Sequence, residues 1–344
     1  MCEKTIKVSV VVPVHNGISE GLRECLDSIT NQDYPDKEVI LVDDASSDNS
    51  YRIMQEYAVM PFWNIVRHSQ NEGLAASLND GIKSSTGDLI LLIHQDCMLL
   101  EKCAISESKA FLDSDPTIGV LVGRQVYDFS NMNFYQRFME FRLEHIYLNI
   151  RLQGPIDLAE NKCDLVRRKI IESVGYFDTA FKISGEDFIF SSRVIATNAK
   201  IYEGKDLKFR DSHIGESSLI GIIKKDYTYG KFSLRVFGRT HKEAEKKIHE
   251  NSYTKLKTIN RVTSLLTPFS IVAIFLLVYF GFTVVAITFI VILIARLSLV
   301  LLRRNDLLSK NTKIDLPIIR TITSTIILDL SFSIGFIVGI FTKY

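Results

Sequence analysis

Apolar and polar positions along the chain change rhythm several times. Ile6–Val14 is a β-branched apolar run, the signature of a buried strand. After it, Leu22, Cys25, Leu26 and Ile29 recur at three- and four-residue spacing and predict one apolar helix face. Glu38–Asp43 reads as a second buried strand, Asn49–Ala58 as a second helix and Asn64–Arg67 as a short strand. Leu74–Ser85 then reads as a helix and Asp88–His94 as a further apolar strand. Continuous apolar strands alternating with helices predict an α/β fold whose mostly parallel sheet is covered on both faces. In such sheets ligands bind beyond the carboxyl ends of the strands. His15 and Asn16, Asp43 and Asp44, and Asp96 stand at those ends.

Further along, Leu219, Ile220, Ile222, Ile223, Tyr227, Tyr229, Phe232, Leu234, Val236 and Phe237 are interleaved with Lys224, Lys225, Lys231, Arg235 and Arg239. This mixture over 217–250 predicts amphipathic helices at a membrane interface, with ordinary domain-packing helices as the alternative. Beyond it, Arg296 is the only charge between Arg261 and Arg303. Spans at 265–280, 283–302 and 318–341 are each about long enough for a hydrocarbon core of roughly 30 Å. The turn near Gly281 makes the first two a hairpin. Lys255, Lys257 and Arg261 precede it, and Arg303, Arg304, Lys310 and Lys313 follow it. By the positive-inside rule both flanks, and with them the N-terminal domain, are cytoplasmic. Arg296 and Asp329 lie inside spans and need partners there. A pair across the second and third spans is one reading, and a lipid-phosphate contact for Arg296 the other. The expected organisation is a catalytic domain over 1–215, interfacial helices over 216–260 and a membrane region over 261–344.

Composition sharpens this picture. In 344 residues, 41 Lys and Arg face 40 Asp and Glu, a near balance that argues against nucleic acid as a partner. The balance is uneven, because the stretch from Arg261 onward carries 8 basic and 3 acidic residues. A mean hydropathy of +0.12 beside 24 % charged residues also requires charge and apolar sequence to be segregated. The five cysteines are scattered without a CxxC pair, so reduced thiols are expected rather than a disulfide framework or zinc site. The N-terminal apolar run is short, β-branched and broken by Pro13, unlike a signal peptide. Neither GxGxxG nor a P-loop motif is present.

Four segments stand in order: VSVVVPVHNG (8–17), EVILVDDASSDNS (38–50), NEGLAASLNDGIKSSTGDLILLIHQD (71–96) and GEDFIFSSRV (185–194). Together they resemble the family 2 glycosyltransferases, over about residues 6–215. The resemblance implies a GT-A, Rossmann-like fold with a mixed, mostly parallel sheet. It also implies a nucleotide pocket that includes Pro13, Val14, Asn16, Asp43, Asp44, Asn79, His94 and Gln95. A carboxylate at a strand end can accept from a base N–H or ribose hydroxyls, although Asp44 and Asp48 can equally cap a turn. Asp48 is read as such a cap.

The family's metal motif is usually Asp-x-Asp, and here the triplet is His94-Gln95-Asp96. The resemblance then assigns a divalent cation, Mn2+ or Mg2+, to Asp96, with His213 as a second ligand or a structural histidine. The ion neutralises the diphosphate leaving group, and an imidazole in the site favours manganese. In the resembling family the Asp of Glu186-Asp187 is the general base and its neighbour orients it. The alternative is helix N-terminal capping. Arg167 or Arg168 is a candidate phosphate contact, or a surface charge.

These features predict a membrane-anchored, multi-pass, inverting glycosyltransferase. It would move a sugar from a nucleotide-sugar to a lipid-linked acceptor, either a lipid-linked glycan or a polyprenyl phosphate, at the cytoplasmic face. Two alternatives stand beside it. One is a catalytically silent nucleotide-binding membrane scaffold, favoured by the altered metal triplet. The other is a polysaccharide synthase, disfavoured because no QxxRW-type motif is present.

Overall fold

A computed structural model describes residues 6–18, 21–142, 154–180, 185–212, 215–237, 252–310 and 315–341. The chain divides into two compact units. The first is Met1–Tyr127, Leu152–His213 and Arg239–Asn251, and the second is Asp128–Arg151, Ile214–Gly238 and Ser252–Tyr344.

The first unit is a mixed sheet with helices on both faces. In chain order its elements are β1 (Val8–Val14), α1 (Leu22–Thr30), β2 (Lys37–Asp43), α2 (Ser50–Tyr57), β3 (Trp63–Arg67), α3 (Leu74–Lys83), β4 (Leu89–Ile93), β5 (Cys97–Leu99), α4 (Ala104–Ser114) and β6 (Ile118–Gln125). The helix α5 (Phe134–Arg142) belongs to the second unit. The first then resumes with β7 (Gly154–Ile156), β8 (Cys163–Arg167), α6 (Arg168–Val174), α7 (Glu186–Ala196) and β9 (Lys200–Asp211).

The sheet order is β3-β2-β1-β4-β8-β6-β9-β5, with β7 on β9. Strands β3, β2, β1 and β4 are all parallel, as the βα alternation requires. Antiparallel β8 then enters between β4 and β6. Within β1 the side chains alternate: Val8, Val10, Val12 and Val14 pack with Leu22 and Leu26 of α1. Val11 packs on the other face with Leu78 and Ile82 of α3. This period of two explains why β1 is apolar throughout: it is buried on both faces.

A buried carboxylate pins the amino ends of the strands. Glu38 accepts from Ser9 Oγ (2.6 Å) and from Thr86 N (2.6 Å), and pairs with Lys7 Nζ (2.9 Å). Burial alone raises the Glu38 carboxyl, but bonds from Ser9, Lys7 and Thr86 outweigh it and hold it at about 2.

The second unit is helical. Besides α5 it contains α8 (Leu219–Phe237), α9 (Ser252–Tyr279), α10 (Thr283–Lys310) and α11 (Ile318–Phe341). Among its described residues, three segments are long and apolar enough to cross a membrane: Val262–Tyr279, Thr283–Ser309 and Ile318–Phe341. Gly281, at φ 78°, turns α9 into α10. Large apolar side chains along both helices are exposed, Phe275 by 74 % and Val284 by 78 %. That much contiguous apolar surface is expected only where lipid or a partner covers it.

Helix α11 differs from the other two, with Thr321, Ser324, Thr325, Ser331, Ser333 and Asp329 all buried. Along one side it packs on α8. Ser331 Oγ donates to Ile223 O, Gly335 meets the backbone of Tyr227, and Gly339 meets that of Lys231. Both partners advance along their helices together, so α8 and α11 run parallel. At Gly230 and Gly335 a Cβ would collide with the facing backbone, so only glycine permits this approach. The amphipathic segment expected at 217–250 is therefore a packed helix over Leu219–Phe237, and residues 238–251 lie outside the described ones.

Arg296 and Asp329 meet, which is one of the two readings that the sequence left open. Arg296 Nε and Nη2 donate to Asp329 at 3.1 Å each. Two further charges join them. Arg142 Nη1 donates to Asp329 Oδ1 (2.8 Å), while its Nε and Nη2 grip Asp226 in a fork at 3.0 Å. Thr267 Oγ1 donates to Asp329 and Ser264 Oγ accepts from Arg296. Two arginines and two aspartates thus form a neutral buried quartet.

Candidate active site

The carboxyl ends of β1, β2 and β4 are knitted together by the polar residues that follow them. His15 N donates to Gln95 Oε1 (2.8 Å) and Gln95 Nε2 returns a bond to His15 O (3.1 Å). This reciprocal pair fixes the loop after β1 against the one after β4. His15 Nδ1 contacts Asp44 O at 2.8 Å, and Asp44 N donates to Val14 O at 2.8 Å. Asn16, in the left-handed region at φ 51°, receives Ser47 N and Asp48 N on its Oδ1. Ala45 is also left-handed, at φ 55°, a conformation that favours glycine and strains a Cβ by roughly 1 kcal/mol. Strained backbone at adjoining strand ends is typical of a ligand site.

The expected nucleotide residues divide by position. His15 is exposed, while Asn16, His94, Gln95 and Asp96 are half-buried at this end of the sheet. Pro13 and Val14 are buried within β1, so they offer the pocket backbone rather than side chain. Asp43 is fully buried, accepts from Ser46 N and pairs with Arg67 Nε at 3.0 Å. Asp44 accepts from His68 Nδ1 (2.8 Å), Glu72 N (2.7 Å) and Gly73 N (2.9 Å). Burial raises its carboxyl, yet these three bonds outweigh it and hold it below the usual range. Asp48 caps its turn as expected, with Oδ1 accepting from Ser50 N at 2.9 Å.

Asn79 is spent elsewhere. Its Nδ2 donates to Phe177 O and its Oδ1 accepts from Phe177 N, both at 2.9 Å, so its amide clamps a loop instead of facing a nucleotide. Arg167 and Arg168 also depart from the expectation of a phosphate contact. Arg167 donates to the carbonyls of Ile118 and Leu112, and Arg168 to Ser85 Oγ and the carbonyls of Ile82 and Gly87.

At the metal triplet, His94 Nε2 is closed off from solvent and makes no hydrogen bond among the described residues. Burial lowers the imidazole pKa, against the pull of Asp96, and keeps the ring neutral near pH 7. An orphaned neutral nitrogen close to a half-buried carboxylate suits a divalent cation. Asp96 Oδ1 takes only a weak bond from Cys97 Sγ, at 3.4 Å, and Asp96 O accepts from Ser212 N and Oγ. The described residues nevertheless bring no trio of His, Cys, Asp or Glu ligands together at Asp96. His213 lies outside the described residues.

Glu186 and Asp187 open α7 behind Gly185, whose φ of 112° only glycine adopts readily. Glu186 is buried, its Oε2 without a hydrogen-bond partner among the described residues. Burial first, then the charge of Asp187, pushes its carboxyl up to about 7. A second carboxyl behaves in the same way. Asp164 on β8 is buried, and burial, with Glu160 and Asp187 adding to it, raises its carboxyl to about 7 although Asn161 N donates to it at 2.8 Å. The sequence contained a signal for Asp164, an acidic residue inside the strand CDLVR, but not its proximity to Asp187. Asp187 itself is half-buried at a helix N-terminus, where the helix dipole favours an anion.

A raised carboxyl pKa makes the folded state lose stability as pH climbs from about 4.5 through about 7. Replacing Glu186 by Gln removes that loss. The variant is expected to melt several degrees above wild type at pH 8 and within about a degree of it at pH 4.5. Thermal unfolding in detergent at both pH values checks this, and an unchanged difference between them would refute the assignment.

Residues 9–175 match the family model described as glycosyl transferase family 2. Among curated relatives, glycosyltransferase AglE of Haloferax volcanii is 28 % identical over 246 residues, 67 % of this chain and 74 % of that one. Glycosyltransferase GlyA of Streptococcus pneumoniae is 36 % identical over 90 residues, covering 26 % of this chain and 13 % of its own. The poly-beta-1,6-N-acetyl-D-glucosamine synthase of Staphylococcus epidermidis is 26 % identical over 164 residues, 47 % of this chain. The chain thus spans well under half the length of these last two, 13 % and 40 %. Among solved structures, the mannosyltransferase PcManGT of Pyrobaculum calidifontis, in complex with GDP-Man and Mn2+, shares the fold. Its TM-score is 0.53 at 19 % identity, over 86 % of this chain and 88 % of that one.

Proposed function

Because the chain carries a family 2 glycosyltransferase domain of GT-A fold followed by three long apolar helices, we propose that it is a membrane-anchored inverting glycosyltransferase. Its donor is a nucleotide-sugar and its acceptor a lipid-linked glycan. One observation carries the catalytic reading: of three neighbouring carboxyls, Glu186 and Asp164 are held near neutrality. Asp187, the third, stands half-buried at the N-terminus of α7, where the helix dipole favours an anion. As general base it takes the proton of the acceptor hydroxyl as that oxygen attacks the anomeric carbon. The C–O bond to the diphosphate breaks as the new one forms, so the configuration inverts. Glu186 orients base and acceptor. The loops bearing Asn16, Asp43, Asp44, His94 and Gln95 hold the nucleotide. Asp96 and His94 would hold a divalent cation, which when bound supplies positive charge to the leaving diphosphate.

The second unit supports the acceptor class. A helical hairpin with exposed apolar faces keeps the enzyme at the bilayer, where a substrate with a hydrophobic end must stay. Basic residues at both ends of the hairpin favour the cytoplasmic side for the first unit. Similarity to the poly-N-acetylglucosamine synthase supports a second reading, repeated addition to a growing polymer.

Both are tested with the purified protein, native membrane lipid extract, Mn2+ and a panel of radiolabelled nucleotide-sugars. Label from one donor entering the organic phase as a single addition is the expected result. A ladder of water-soluble polymer would replace it with the synthase reading. Nucleotide binding without transfer from any donor would leave a scaffold.

A further inference from the structure

We propose a second divalent-cation site, for zinc or a similar imidazole-seeking ion, at the edge of the sheet formed by His68, Glu72 and Asp80. This site is separate from Asp96, and it does not depend on the transferase reading. His68 follows edge strand β3, Glu72 precedes α3, and Asp80 lies on α3. One ligand atom from each falls within 4.8 Å of the other two.

The placement of the imidazole carries the argument. His68 is buried, its side chain 6 % exposed, and its Nδ1 is 2.8 Å from Asp44 Oδ1. A carboxylate can only accept, so Nδ1 bears the proton. In the neutral ring Nε2 then presents a lone pair. That nitrogen is buried and makes no hydrogen bond among the described residues, yet it lies 3.4 Å from Asp80 Oδ2. A lone pair beside a carboxylate oxygen is repulsive unless something positive lies between them. Two donors bound at 2.0–2.2 Å to a tetrahedral zinc stand about 3.4 Å apart, the separation found here. A carboxylate that orients a histidine whose far nitrogen meets a metal is a recurrent outer-shell arrangement. Exposed Glu72 supplies a third ligand and leaves a position open to solvent.

Imidazole beside carboxylate favours zinc, copper or nickel over magnesium or calcium. Lys83 Nζ, 3.2 Å from Asp80 Oδ1, is the competing cation, but its side chain is 58 % exposed and leaves the other oxygen unused. The remaining competitor is a proton: an imidazolium bridging Asp44 and Asp80 would satisfy both nitrogens. Occupancy by metal would tie α3 to β3 through the same histidine that Asp44 holds.

The test uses the full-length protein in detergent, stripped with chelator and free of nucleotide, titrated with Zn2+ alone. Wild type is expected to bind one more equivalent than Glu72→Gln/Asp80→Asn, or to bind it at least about tenfold more tightly. Both replaced groups are partly or wholly exposed, so the variant keeps the fold, which circular dichroism verifies. With Co2+ in place of zinc, wild type alone should develop the visible bands of tetrahedral cobalt. Equal stoichiometry and affinity in the two proteins, with no cobalt bands, would overturn the site and leave the imidazolium bridge.

Discussion

Asp187→Asn is expected to lower the rate of sugar transfer at least about 100-fold while leaving the KM for the nucleotide-sugar within about threefold. The substitution keeps the shape and the hydrogen bond to Phe188 N (2.7 Å) but removes the proton acceptor. A positioned general base contributes typically 10²–10⁴-fold. Single-turnover transfer into the organic phase separates the chemical step from release. A loss below about tenfold would end the assignment of Asp187 as base. It would also favour a phosphate acceptor, already ionised and in no need of one.

Asp329→Leu is expected to destabilise the helical unit by about 3–5 kcal/mol, because it leaves two buried arginines without their shared counter-ion. Asp329 is fully buried and accepts from Arg142, Arg296 and Thr267 together. The companion result makes the argument specific. Replacing Arg142, Asp226, Arg296 and Asp329 together by apolar residues of similar volume should cost far less than the single change, since no charge is then stranded. Melting temperature and yield in mild detergent measure both. A single variant that melts within a degree or two of wild type would show that the quartet is not held as described.

The two halves of that quartet also show what a sequence exposes and what it conceals. Arg296 and Asp329 stand out because each interrupts an apolar run, and their pairing follows from the cost of a lone charge in lipid. Arg142 and Asp226 sit in ordinary charged helix sequence, and nothing local marks them as buried. The first four strands were legible for the same reason as the spans: β1, β2 and β4 are apolar without alternation because both their faces are covered. The place of β8 was not, because its pairing with β4 joins Leu92 to Asp164, residues far apart in the chain. At the site, the polar residues after β1, β2 and β4 were readable from position alone. That Asn79 serves Phe177, and that Arg167 and Arg168 serve backbone carbonyls, depends on distant partners that no spacing rule supplies.

The parallel pairing of α8 with α11 makes α8 wait for a partner that is translated much later. The bond from Ser331 to Ile223 spans 108 residues. At roughly 5–20 residues per second, translation leaves α8 without its partner for about 5–20 s. Throughout that interval the glycine face around Gly230 is uncovered, and Asp226 and Arg142 await the carboxylate of Asp329. The seam between α8 and α11 therefore closes only after α11 is made, and a ribosome stalled before α11 would leave it open.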